Sequence, residues 1–251
     1  MQRADWLAES PFTLMLSAGF FGFFAHTGVL RALEERSLRP ARVIGCSAGS
    51  LSGGLWSSGM TATALAEELM ALRRADFWDP GIPLGGLLRG RKFRDRIRLL
   101  LERTGVLQIE DCPTPFAPIV HDVFRNRPLA LKRGALDEAI VASCTVPLMF
   151  RPVWSQGRLL VDGGVTDRCG VTALQGDSKV LLHFLPSRRK ARLHAPTVAP
   201  TGLPGVELAV LETPELPKLG PFSLAEGPLA YARAYEHTKM WLELPYEVAS
   251  V

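Results

Sequence analysis

Gly45-Cys46-Ser47-Ala48-Gly49 is the stretch that most narrows what this chain can fold into. A G-x-S-x-G pattern also arises by chance in chains rich in Gly and Ser, so its surroundings decide its meaning. Strand-like Arg42-Val43-Ile44 precedes it, and Ser47–Gly59, where Ala, Ser and Gly recur, follows it. Strand, sharp turn and closely packed helix are what a nucleophile elbow needs. Gly45 and Gly49 have a steric purpose there, since side chains beside the strained turn would clash. Ser47 would start the helix, where the backbone dipole favours a developing alkoxide. The competing reading is a plain Gly/Ser turn, or a helix start that binds an anion.

The rest of the chain supplies the frame. Phe12–Leu16 and Ala41–Cys46 read as short buried strands. Phe116–Val123, Pro128–Lys132, Leu159–Val161, Lys179–Leu185 and Val206–Leu211 supply more. Apolar residues at helical spacing predict helices over Phe23–Arg36, Thr61–Arg74 (capped by Thr61), Arg91–Arg103, Gly134–Ala142 and Leu229–Leu242. Such alternation predicts an α/β fold, a largely parallel sheet covered on both faces. With no repeat and no convincing linker, residues 1–251 read as a single domain. Ligands of such sheets bind beyond the carboxyl ends of the strands, here the loops after Leu16, Cys46 and Val161.

Two of those loops carry chemistry. In Ser17-Ala18-Gly19-Phe20-Phe21-Gly22 the glycines let backbone N–H groups face an oxyanion, although a plain strand-to-helix turn would look the same. Asp162-Gly163-Gly164 puts a carboxylate at a strand end, free to take a proton from serine, although D-G-G is also a common turn.

Together these elements resemble the patatin-like phospholipases, lipid acyl hydrolases related to plant patatin and cytosolic phospholipase A2. The similarity covers Leu14 to about Val171 and is most specific over Leu16–Met60. Ala25–Leu30 is similar to the family's first helix, and Ile44–Leu51 to its elbow. Ala142-Ser143-Cys144-Thr145-Val146-Pro147 with Phe150 resembles its A-S-x-x-x-P-x-x-F segment, and Gly86–Gly90 a segment of bacterial members. The resemblance implies a three-layer α/β/α sandwich with a mainly parallel central sheet. It also implies a Ser–Asp dyad without catalytic histidine, with Ser47 attacking an ester and Asp162 as general base. Gly163 and Gly164 would support the Asp loop, and the amides of Gly19, Phe20 and Gly22 are the oxyanion-hole candidates. The sequence departs from the family in two places. The usual G-G-G-x-R-G loop has no basic residue here, Gly22 standing where the Arg falls. The usual D-G-G-x-x-x-N-x-P ends with Arg168 and Gly170 in its last two places.

Two other readings compete. His183, His194 or His237 would complete a Ser-Asp-His triad of the ordinary α/β-hydrolase order. The altered loops suit a catalytically weak lipid-binding or interaction protein on the same fold.

Composition sets the remaining expectations. No apolar run is long enough to span a bilayer, Phe12–Ala25 being broken by Ser17, Gly19 and Gly22. Asp5 and Glu9 make a poor signal peptide, so a cytoplasmic location is expected. Cys46, Cys112, Cys144 and Cys169 form no C-x-x-C pair, and neither a metal nor an organic cofactor is expected. A net charge of +4 does not mark a nucleic-acid binder. Ser187–Arg192 is a basic cluster without interleaved aromatics and reads as a surface loop. Arg89, Arg91, Lys92, Arg94, Arg96 and Arg98 lie among Leu87, Leu88, Phe93, Ile97, Leu100 and Leu101. That segment suits either peripheral docking on an anionic membrane or a solvated helix face. Phe20, Phe21, Phe23 and Phe24 either line an acyl-chain pocket or belong to the core. The expected partner is a lipid ester or phospholipid substrate.

Overall fold

The computed structural model describes residues 1–82, 85–186, 200 and 205–246. Ser187–Arg192 and His194 lie outside them. In chain order, the first half holds α1 (Arg3–Glu9), β1 (Thr13–Leu16), α2 (Phe23–Glu35), β2 (Arg42–Cys46), α3 (Ala48–Ser57), α4 (Ala62–Met70), β3 (Gly86–Leu88) and α5 (Arg91–Thr104). The second half holds β4 (Phe116–Asp122), β5 (Arg127–Ala130), α6 (Leu136–Ser143), β6 (Leu148–Phe150), β7 (Val153–Ser155), β8 (Arg158–Asp162), β9 (Lys179–Phe184), β10 (Glu207–Glu212) and α7 (Gly227–Glu243).

Five strands run parallel in the order β10-β9-β1-β2-β4. Their continuous apolar sequences follow from burial on two sides. Leu14, Leu16, Val43, Phe116, Val120 and Leu181 join one cluster, while Met15, Ile44, Ala117, Ile119 and Leu182 point into the other. The helices pack on the first face. On the second, the layer is thin: the segment 167–174, with its 3-10 turn Val171–Ala173, buries Cys169 and Ala173 against the sheet.

Beyond β4 the direction reverses. β5 and β8 pair with β4 antiparallel, and β7 pairs with β8 antiparallel. Parallel neighbours need a long crossover, whereas a two-residue turn forces a hairpin. Gln156 (φ 48°) and Gly157 (φ 70°) form such a turn between β7 and β8. The sheet is thus mainly, not wholly, parallel.

Most expected helices form, with Thr61 Oγ1 accepting the Ala64 N–H at 3.2 Å. α4 stops at Met70 rather than Arg74. Asp76 instead accepts the Arg73 N–H at 2.8 Å and starts a separate 3-10 turn. Among the described residues, no helix is long and apolar enough to cross a membrane.

Candidate active site

Strand register brings the two singled-out side chains together. Cys46 of β2 pairs with Ile119 of β4, and Asp162 of β8 pairs with Val120 on the other side of β4. Ser47, one residue beyond Cys46, is therefore level with Asp162, with two strand spacings (about 10 Å of backbone) between them. Both side chains reach across that gap. Ser47 Oγ donates to Asp162 Oδ2 at 2.6 Å.

The elbow explains how Ser47 points there. Its backbone has φ 53° and ψ −117°, a region non-glycine residues rarely occupy. The tightness is forced by neighbours. A Cβ on Gly49 would lie 2.0 Å from the Leu16 carbonyl oxygen, and one on Gly45 would lie 2.6 Å from that of Gly49. Ser143 braces the turn: its Oγ accepts the Ser47 N–H at 3.0 Å, donates to the Ile119 carbonyl at 2.6 Å and lies 2.7 Å from Ser50 Oγ. Two residues on, the Thr145 carbonyl accepts the Asp162 N–H at 2.9 Å. The Ala142–Phe150 segment therefore holds both Ser47 and Asp162. Sequence reasoning noted its pattern but had no means of seeing this brace, which appears only once β4 and α6 are packed together.

Asp162 is buried, and its Oδ1 accepts the Gly164 N–H at 2.8 Å. Loss of water around the carboxylate pushes its pKa up to about 6, against the pull of the Ser47 and Gly164 hydrogen bonds and the Arg168 charge. The glycines permit this packing, since a Cβ on Gly163 would lie 2.4 Å from the Ile119 carbonyl oxygen.

The loop after β1 divides the oxyanion candidates. The Gly22 N–H is donated to the Gly19 carbonyl at 2.9 Å, so it closes the turn and is not free for a ligand. The amides of Gly19 and Phe20 have no intramolecular acceptor among the described residues, and both residues line the cleft above Ser47. Ala48, first residue of α3, lines it too and likewise has no acceptor for its N–H. Sequence reasoning passed over Ala48, although its place directly after the serine at a helix start was a signal.

The cleft encloses about 880 Å3, open mouth included, and is walled mainly by apolar side chains. Phe20, Phe21 and Phe23 line it with Leu51, Phe93 and Met149. Phe24 does not: it packs in the core, where a Cβ on Gly227 would meet its ring at 2.5 Å.

A family model described as patatin-like phospholipase matches residues 14–174. The chain belongs to the patatin-like phospholipase family. An uncharacterized NTE-family protein of Mycobacterium tuberculosis is 32% identical over 165 residues, covering 65% of this chain and 45% of the relative. Lysophospholipase NTE1 of Mycosarcoma maydis is 32% identical over 167 residues, covering 64% of this chain and 9% of that protein. The chain thus spans less than half the length of these curated relatives. Among solved structures, VipD of Legionella pneumophila superposes with TM-score 0.65 at 11% identity, over 92% of this chain and 66% of VipD. The type III effector ExoU gives 0.51 at 15% identity, over 92% and 52%. These two show the fold.

The places where this patatin-like chain departs from the family pattern meet in space. The Arg168 guanidinium is buried, and its Nη2 donates to the carbonyls of Ala18 and Leu185, each at 2.9 Å. Its own carbonyl accepts the Ala18 N–H at 2.7 Å. The Asp loop therefore clasps the root of the loop after β1, from which the usual basic residue is missing.

Of the late histidines, His183 and His237 are described, and each has hydrogen-bond partners other than Ser47. His183 and His26 are fully buried with their Nδ1 atoms 2.8 Å apart. His26 Nε2 lies 2.8 Å from the Ser17 carbonyl, which only accepts, so His26 carries its proton on Nε2. His183 must then donate through Nδ1, leaving Nε2 to accept from Thr213 Oγ1 at 3.4 Å. Both ring nitrogens of His183 are thus engaged. His237 is half-buried on α7 and bonds the Glu212 backbone.

The α5 cations are largely paired. Arg94 meets Asp137 at 2.8 Å and Glu138 at 3.2 Å, Arg96 meets Glu68 at 2.6 Å, and Arg98 meets Glu102 at 3.4 Å. This favours the solvated-face reading for Arg94–Arg98. The guanidinium groups of Arg89 and Arg91 have no carboxylate within 4.0 Å among the described residues.

Proposed function

We propose that the chain is a serine acyl hydrolase that cleaves carboxylic esters of lipids, as a phospholipase A or lipid esterase. The observation that carries this reading is the 2.6 Å bond to the buried Asp162 carboxylate from the Oγ of Ser47, a residue that lines an apolar cleft. In the first step Ser47 Oγ attacks the ester carbonyl carbon while Asp162 Oδ2 takes its proton. The tetrahedral oxyanion faces the amides of Gly19 and Phe20, with the Ala48 N–H at the start of α3 as a further donor. Collapse expels the alcohol or lysolipid, which leaves with the proton from Asp162. Water then attacks the acyl-Ser47 ester, Asp162 accepting its proton, and collapse returns that proton to Ser47. A carboxylate serves as base here because burial has moved its pKa from the ordinary 3.8 up to about 6, which makes it a stronger base. The acyl chain lies along Phe21, Phe93 and Leu51. Nothing in these steps calls for a metal or an organic cofactor.

The test is intact mass after exposure to a fluorophosphonate probe. Wild type should gain one adduct, Ser47→Ala none, and Asp162→Asn should react at least about a hundredfold more slowly, as expected for removing a general base. Absence of an adduct on folded wild type would overturn the reading and favour a binding protein on this fold.

A further inference from the structure

The mouth of the cleft carries an unusual surface. Phe20, Ile82, Leu87, Leu148 and Phe222 are 56%, 69%, 63%, 81% and 76% exposed. They are far apart in sequence but joined in space. Phe20 lines the cleft and approaches the segment at Gly220, two residues before Phe222. The Phe222 ring lies edge-on to Trp78 at 5.8 Å, and the Arg74 guanidinium covers both rings. From Trp78 the chain turns at Gly81, whose N–H bonds the Leu87 carbonyl at 3.0 Å. β3 then pairs with β6, Gly86 facing Leu148. Leu148 is followed by Met149 and Phe150, which return into the cleft.

Leu148 adds a second observation. Its φ of 69° is a left-handed conformation that costs a branched side chain, and it turns the leucine outward from the lining. Of the acids that line the cleft, Glu68 is paired with Arg96 and Asp76 accepts the Arg73 N–H at 2.8 Å. Arg74 stacks on the rim aromatics, and the guanidinium groups of Arg89 and Arg91 form no ion pair among the described residues. The nearby Asp79 is occupied by the amides of Gly90, Arg91 and Lys92, at 2.9, 2.7 and 3.3 Å.

We propose that this rim is the surface by which the protein docks on a lipid bilayer, Phe20, Ile82, Leu87, Leu148 and Phe222 entering the acyl–headgroup boundary and Arg74 and Arg89 meeting phosphates. It rests on the acyl-hydrolase reading in one respect: a rim surrounding an acyl cleft faces the aggregate that supplies the chain. Bulky apolar tips flanked by arginines that form no ion pair among the described residues match the layering of a membrane interface, apolar below and anionic above. The docking surface is thus the cleft mouth and not the paired arginines of α5.

Leu87 and Phe222 do not line the cleft, so they separate docking from chemistry. Vesicles of phosphatidylcholine, with and without phosphatidylglycerol, are sedimented with wild type, Leu87→Ser/Phe222→Ser and Arg74→Gln/Arg89→Gln, each checked for folding by its melting curve. The apolar double variant should lose about tenfold or more in binding to both vesicle types. The arginine variant should lose binding chiefly on the anionic vesicles. Turnover of a soluble short-chain ester should change less than about twofold in the apolar variant, since no cleft residue is altered. Vesicle binding equal to wild type in the folded apolar variant would overturn the proposal, as would a wild type that stays in the supernatant or instead self-associates through this face. Failure of the hydrolase reading would look different, as wild type bound to vesicles but inert to both the soluble ester and the fluorophosphonate.

Discussion

Asp162 holds a position water would not allow it. Burial raises its pKa to about 6, while the Arg168 charge nearby pulls the other way. A general base works only when ionised, so kcat/KM on a soluble ester should rise with pH through an apparent pKa of about 6 and then level. Arg168→Gln removes the cation that favours the carboxylate, and should move this acid limb to higher pH. Arg168→Lys, which keeps the charge but not the paired reach to Ala18 and Leu185, should move it less and lower kcat instead. pH–rate profiles of the three proteins decide the matter. An acid limb unmoved in Arg168→Gln would reduce Arg168 to a purely mechanical clasp.

At the scale of elements, the strand–elbow–helix unit is tight because backbone meets backbone. A Cβ at position 49 faces the Leu16 carbonyl oxygen at 2.0 Å, and neither partner can rotate away. At position 53, further along α3, the nearest atoms are side-chain methyls, Val43 Cγ1 at 2.9 Å and Leu16 Cδ1 at 3.2 Å. Gly49→Ala should therefore destabilise by about 3 kcal/mol or more, and Gly53→Ala by roughly 1 kcal/mol, because rotamers give where backbones do not. Denaturant midpoints measure the difference, and equal losses would contradict this account of the elbow. This steric demand is also why the elbow was legible in the sequence: it is local, and only small residues satisfy it. β1, β2 and β9 were legible for a related reason, since burial on two sides writes a continuous apolar run. The brace at Ser143 was not, because its hydroxyl reaches Ser47 and Ser50 nearly a hundred residues away in the chain, and Ile119 24 residues away. Nor was the reversal of β8, because apolar periodicity carries no strand direction. α1 escaped because Trp6 and Leu7 bury in a helix of seven residues, too short to show a period.

For the whole molecule, stability against pH joins groups that lie in different layers and pull in opposite directions. Asp162 binds a proton in the fold up to a pKa of about 6, but only up to the ordinary value of 3.8 when unfolded. Its contribution therefore declines as pH rises from about 4 to 6, leaving the ionised form with a cost of about 3 kcal/mol. The His26–His183 pair acts the other way. Burial pushes His26 down to about 4 and His183 well below its ordinary value, so the fold refuses protons that the unfolded chain accepts below 6.5. Stability from the pair is complete above 6.5 and drains away as pH falls toward 4. With two histidines set against one aspartate, wild type should be less stable at pH 5 than at pH 7, its loss softened by Asp162 taking up a proton. Asp162→Asn removes the softening group and the buried charge together. The variant should unfold at higher denaturant than wild type at pH 8, and the gap should close as pH falls toward 4. Urea titrations at pH 8, 6.5, 5 and 4 would show two curves converging on the acid side. Parallel curves would mean that the Asp162 carboxylate is not held against its preference, and a base tuned by burial would lose its physical ground.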